Sequence, residues 1–259
     1  MTTLYAPATQ APVTLAPPSL ARLVQVELRK AVDTRAGRWL LVLIALVAVG
    51  GAVLTAVTGA TGDRNLTHVL GDTSQMVAVL LPVLGILLVT SEWSQRTALT
   101  TFTLVPRRER VIAAKAAAGV LLAAAATVVC TAVSAAALLI ADHGRAGLWP
   151  DSGRAIGYAV VFQILNLLLG VGFGLLFRST PVAIVVYFAA PTAWSILTST
   201  VSALEGTGRW LDPSTAWNHL AGGTVTATIG AQVATAAAVW IVLPMLAGGW
   251  RVLYRPVGA

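Results

Sequence analysis

The sequence predicts an all-α fold: a polytopic membrane protein of six transmembrane helices, with N- and C-termini cytoplasmic and an N-terminal interfacial amphipathic helix. Three observations carry that prediction. The 259 residues are 57% hydrophobic and 10% charged, with a mean hydropathy of +0.81, far outside the range of soluble domains. Six segments, 39–57, 74–90, 116–140, 157–177, 181–201 and 229–248, contain no Asp, Glu, Lys, Arg or His. Lys and Arg are distributed unevenly between these segments. Arg22, Arg29, Lys30, Arg35, Arg38, Arg96, Arg107, Arg108, Arg110, Lys115, Arg178, Arg251 and Arg255 fall on one side, and only Arg64, Arg145, Arg154 and Arg209 on the other. Positive residues collect on the cytoplasmic side, so both termini are expected there, and an even number of spans requires the same.

Taken in order, residues 1–19 carry no charge and hold Pro7, Pro12, Pro17 and Pro18, the composition of a disordered cytoplasmic tail. Residues 20–38 follow as the amphipathic helix. Leu20, Leu23, Val24, Leu28 and Ala31 share one face, with Arg22, Gln25, Arg29 and Asp33 opposite. Glu27 falls in the middle of the apolar face, where it snorkels, finds a cation, or sits exposed on an irregular helix. Residues 39–250 form the transmembrane domain, and 251–259 a cytoplasmic tail. The first span, at 1.5 Å per residue, measures roughly 28 Å, about the thickness of a hydrocarbon core. Pro82, Pro191 and Pro244 lie inside spans and predict kinks. Gly170 and Gly174 form a small-xxx-small pair suited to close helix packing. Trp39, Trp93, Trp149 and Trp250 stand at span ends as interfacial anchors. In the fifth loop, Asp212 before Pro213 reads as an N-cap with Gly222 as the stop. The short helix between them is expected either to dip Trp210, Trp217 and Leu220 into the outer interface or to lie on the surface.

Much chemistry is absent from the sequence. Lys30 and Lys115 are each preceded by a residue other than Gly and followed by Ala, so no Walker A loop is present, and neither His-Glu-x-x-His nor Gly-x-Ser-x-Gly occurs. The chain is therefore expected not to be an enzyme by itself, and no catalytic or metal site is assigned. The net charge of +7 would suggest nucleic acid in a soluble domain, but here the cations sit at the ends of apolar runs, where they set orientation. No span holds an ionisable residue for a coupling ion. The polar residues within spans, Gln163, Asn166 and Gln232 foremost, read equally as helix packing or as a translocation path.

The loop between the second and third spans reads EWSQRTALTTFTLVPRRERVIAAK from Glu92 to Lys115. It resembles the cytoplasmic coupling region of ABC-transporter permease subunits of the type-2 exporter class, which handle drugs, lipids or polysaccharides. Glu92, Thr97, Pro106, Arg108 and Lys115 match that pattern in order and spacing, as do the Glu27-x-x-Lys30 pair and the six-span layout. Arg96 stands where a Gly often precedes the Thr. The resemblance implies an exporter permease in the cell membrane, paired with a second permease copy and energised by a separate ABC ATPase subunit. No cofactor is then expected on this chain, ATP and Mg belonging to the partner. It also implies that Glu92, Arg96, Thr97, Leu99, Phe102, Pro106, Arg107, Arg108, Arg110 and Lys115 couple to the ATPase. Glu27 and Glu92 are candidates for charge pairs with Arg108, Arg110 or Lys115.

Elementary physics gives that loop a shape. Pro106 has no N–H to lose at a first helical position, so a helix over 107–140, roughly 50 Å long, can start there and project beyond the bilayer. Residues 96–104 are expected to form a short helix along the membrane. It presents Leu99 and Phe102 to a soluble partner, with Arg107, Arg108 and Arg110 meeting either acidic groups or lipid headgroups. The alternatives are an ATPase-independent membrane transporter or scaffold and, more distantly, an intramembrane enzyme. Arginine- and alanine-rich usage points to a bacterial source.

Overall fold

The structure is a computed structural model and describes residues 18–60, 64–95, 97, 107–142, 145–223 and 225–254. Those residues form α1 (Leu20–Asp33), α2 (Arg35–Thr58), α3 (Leu66–Ala78), α4 (Leu81–Ser94), α5 (Arg108–Ala141), α6 (Ser152–Phe177) and α7 (Thr180–Thr200). After a 3₁₀ turn at Ser202–Leu204 come α8 (Glu205–Leu211), α9 (Pro213–Ala221), α10 (Ala227–Ala237), a π turn (Ala238–Val242) and α11 (Leu243–Tyr254). The tail before residue 18, residues 255–259, and Arg96, Leu99, Phe102 and Pro106 with the expected helix over 96–104 lie outside the described residues.

Among the described residues six helical stretches are long and apolar enough to cross a membrane: α2, α3 with α4, α5, α6, α7, and α10 through α11. The chain is a polytopic helical membrane protein. Its large exposed side chains fit a lipid surface, with Leu46, Val57, Val128, Ile140, Val185 and Leu246 all turned outward. Trp39, Trp149 and Trp250 are exposed at or next to span ends, whereas Trp93 packs partly against the core.

Helix ends differ from the expected segments for identifiable reasons. α2 begins at Arg35 because the Thr34 hydroxyl accepts from Gly37 N at 3.1 Å and caps it. α5 runs 34 residues, about 50 Å, starting one residue later than expected. The second span, the shortest in the sequence, extends over 29 residues because polar His68 and Asp72 sit within its first turns. Pro82 does not kink a continuous helix. The ladder tightens at Val79 and Leu80, whose N–H groups donate to Met76 and Val77, and Pro82 then sits in the first turn of a new helix, where its missing N–H is tolerated. Pro244 likewise follows a π turn, and Pro191 lies within α7.

α6 is the centre of the bundle, with α4, α5, α3 and α11 packed around it. Gly85 and Gly170 allow the closest approach. A Cβ at Gly170 would overlap the Pro82 carbonyl, and one at Gly85 would overlap the Leu167 carbonyl, so α4 and α6 meet backbone to backbone. Gly174 continues that seam against Ile86 and Val89, while Gly172 faces Ile241, Pro244 and Met245 on the other side.

In the fifth loop α9 has the expected ends, with Asp212 accepting from Ser214 N and Thr215 N and Gly222 closing the helix. Its placement differs from both expectations. Trp217 and Leu220 are buried against Phe162, Leu169 and Tyr187, because the apolar face of α9 finds a helical core within reach. Trp210 belongs to the separate helix α8 and is exposed. Asp212→Ala is expected to lower stability by about 0.5–2 kcal/mol, the worth of an N-cap, measured as a shift in the unfolding midpoint in detergent micelles.

Candidate functional site

At the end of the bundle where α4 finishes and α5 begins, four charged side chains meet. α1 supplies Glu27 and Lys30 one turn apart, the last turn of α4 supplies Glu92, and the second turn of α5 supplies Lys115. α1 is held there by apolar packing. Its Ala31 joins Leu88 and Ala118 in a small cluster flanked by Val24, Leu28 and Leu122, so its apolar face lies on the bundle. Leu20 is exposed at the start of the helix.

The four groups alternate in sign around a closed ring. Lys30 Nζ lies 2.8 Å from Glu27 Oε1 and 2.7 Å from Glu92 Oε1, and Lys115 Nζ lies 2.8 Å from Glu27 Oε2 and 3.4 Å from Glu92 Oε2. Lys115 also donates to the Leu88 carbonyl at 3.0 Å. Glu27, Glu92 and Lys115 are each at most 4% exposed, while the Lys30 side chain is about a third exposed. Burying three charges is costly unless each is paired and hydrogen-bonded, and a neutral ring meets that condition. Burial works against the Lys30 ammonium, but hydrogen bonds and charge from Glu27 and then Glu92 outweigh it and raise its pKa above the ordinary lysine value of 10.5. Lys30 therefore carries its charge at physiological pH.

The partners thus include Lys115, one of the expected candidates, together with Lys30. Arg108 Nη1 donates to the Val252 carbonyl at 2.8 Å, tying the start of α5 to α11. Arg251 similarly donates to Leu176 at the end of α6. Arg107 stands just before α5, and Arg110 lies in its first turn. Thr97 N donates to the Glu92 carbonyl at 2.9 Å, which closes the C-terminal turn of α4.

The polar residues inside the spans separate. Gln163 is fully buried and reaches Ser74 O at 3.4 Å and Cys130 Sγ at 4.0 Å, between α3 and α5. Asn166, one turn on, donates to Phe162 O at 2.9 Å within its own helix and faces α7 and α9. Gln232 is half-buried on α10, apart from both. Sequence reasoning missed the Ser134–Thr73 hydroxyl contact of 3.4 Å and the opposite-end cluster in which Asp142 faces Arg64 and Arg145 at 3.8 and 3.4 Å. An acidic residue directly after a span, with arginines in two adjoining loops, is the signal that could have found the latter.

Compared with known proteins, the chain matches no family model and no curated protein. Among the described residues, length and composition give a polytopic helical membrane protein with six helices able to cross a membrane, and at one end of it a four-charge ring of which three members are buried.

Proposed function

We propose that this chain is the permease subunit of an ATP-driven exporter, energised by a separate ABC ATPase that docks on the loop over 92–115. The observation that carries the reading is the ring. It clamps both ends of that loop, Glu92 and Lys115, to the same pair of residues on α1. A push on residues 96–110 would then reach the bundle through fixed charges, and α5, about 50 Å long, would carry it across the membrane. The asymmetry of Lys and Arg supports placing the ring end, both termini and α1 on the cytoplasmic side, with α1 lying along the interface. In this reading ATP and Mg bind the partner, the chain pairs with a second permease copy among membrane lipids, and hydrolysis occurs outside it. The amino-acid usage favours a bacterial cell membrane.

The test is affinity purification of the tagged chain in mild detergent, with mass spectrometry of what accompanies it. Recovery of a Walker-type ATPase is expected, and its loss when Leu99 and Phe102 are both replaced by Glu. If no ATPase accompanies a chain that elutes as a single folded species, an ATPase-independent transporter or scaffold becomes the better reading.

A further inference from the structure

A second feature lies away from the ring, near the middle of α6 and α7. A cavity of about 140 Å³ opens between α6, α7 and α9. Its walls are largely aromatic and apolar: Leu169, Tyr187, Phe188, Pro191 and Trp217, with the Tyr187 and Phe188 rings edge to face at 4.7 Å. Among the described residues no Asp, Glu, Lys, Arg or His lines it.

Two polar side chains in that lining are more than nine-tenths buried and only partly used. Asn166 is 7% exposed and its amide nitrogen donates to Phe162 O at 2.9 Å, while its Oδ1 has no partner among the described residues. Tyr187 is 9% exposed, and its hydroxyl likewise has no partner among the described residues. Pro191 adds a third group. Having no N–H, it leaves the Tyr187 carbonyl, four residues back on α7, without its helical bond. The neighbouring Phe188 carbonyl is already taken by the Thr192 hydroxyl at 2.7 Å. Buried polar groups are ordinarily satisfied, yet in this lining Trp217 Nε1 is buried with no hydrogen-bond partner among the described residues, and a mostly apolar pocket with a few polar groups is the usual form of a small-molecule site.

We propose that this cavity binds an uncharged amphiphile carrying a hydroxyl group on a ring-sized apolar body. The hydroxyl donates to Asn166 Oδ1 and accepts from Tyr187 Oη, and the apolar body packs on Phe188 and Trp217. The pocket has about the volume that holds a benzene ring but is open on one side, so it takes a ring-sized body and leaves the rest of a larger ligand outside. With no Asp, Glu, Lys, Arg or His among the described lining residues, a charged ligand would be held without a counter-charge, which selects for an uncharged one. The site does not depend on the ATPase reading and stands equally on a chain that works without one.

The experiment uses the full chain in phospholipid vesicles and a photoreactive trifluoromethyl-diazirine derivative of benzyl alcohol, with labelled residues mapped by mass spectrometry. Labelling is expected at Leu169, Tyr187 or Phe188, suppressed by excess benzyl alcohol and not by toluene. Asn166→Leu and Tyr187→Phe should each reduce it by about three- to tenfold, the effect of one lost hydrogen bond. Leu169→Trp, which fills the cavity from its apolar wall, should abolish it. If Asn166→Leu does not fold, Tyr187→Phe carries the same test, because it keeps the ring. Suppression by diacylglycerol as well identifies a membrane lipid as the source of the hydroxyl, whereas suppression by benzyl alcohol alone identifies a small solute. Equal suppression by toluene, unchanged labelling in both polar variants, or label spread evenly over Val182 and Val185 on the outer face of α7 would overturn the proposal.

Discussion

Replacing Lys115 by Met lowers the stability of the folded chain by about 3–5 kcal/mol, the expected cost of removing one member of a buried ion pair. The size follows from what is left behind rather than from the bonds lost. Glu27 and Glu92 remain almost fully buried, and Lys30 alone faces two carboxylates. The Leu88 carbonyl also loses its extra donor. The methionine replaces the apolar stem of the lysine and removes only its ammonium, so the electrostatic effect dominates. Adding Glu27→Gln to the Lys115→Met variant restores neutrality, so the double variant should be more stable than the sum of the two single losses predicts, by about 0.5–3 kcal/mol. Unfolding midpoints of the four proteins in one detergent decide the matter. Additive losses would mean that Glu27 and Lys115 are not coupled.

Gly170→Leu is the second large effect, and it works through geometry alone. Its side chain would begin inside the Pro82 carbonyl, and backbone rather than a flexible side-chain tip is the obstacle. Relief requires α4 and α6 to separate along a seam that also includes Gly85 and Gly174. The loss is expected at or above the top of the usual range for overpacking, about 1–3 kcal/mol. Gly50→Leu serves as the control, because nothing lies within 4 Å of a Cβ there. Monodisperse yield after extraction should collapse for the first variant and hold for the second. Equal behaviour would show that the seam tolerates separation.

The sequence made the spans legible because the bilayer imposes a length and a hydropathy that few soluble helices share, and α9 was legible down to its caps because Asp212, Pro213 and Gly222 act locally. The ring was half legible. Glu27 stood out as a carboxylate on an apolar face with Lys30 one turn on, and Glu92 as an acid closing a span, but the choice of Lys115 over Arg108 and Arg110, and the bridge from Lys30 to Glu92, come from packing that no local pattern encodes. The break at Val79 and Leu80 was missed because Pro82 inside an apolar run looks the same whether it bends a helix or begins one. The burial of Trp217 was missed for a related reason: an aromatic face suits lipid and protein equally, and only the proximity of Phe162 and Leu169 decides between them.

One consequence follows from α6 and its two neighbours. Gly170 meets α4 at Pro82, beside the break in the second span, and Gly172 meets the last span at Ile241 and Pro244, beside its π turn. Two residues on a helix differ in height by only about 3 Å. The two helices flanking α6 are therefore weakest at nearly the same level, on opposite sides of an unbroken 26-residue rod. In mechanical terms the bundle has a spine with a compliant plane through it, and a force applied at one end is relieved by tilting about that plane before any helix need slide past another.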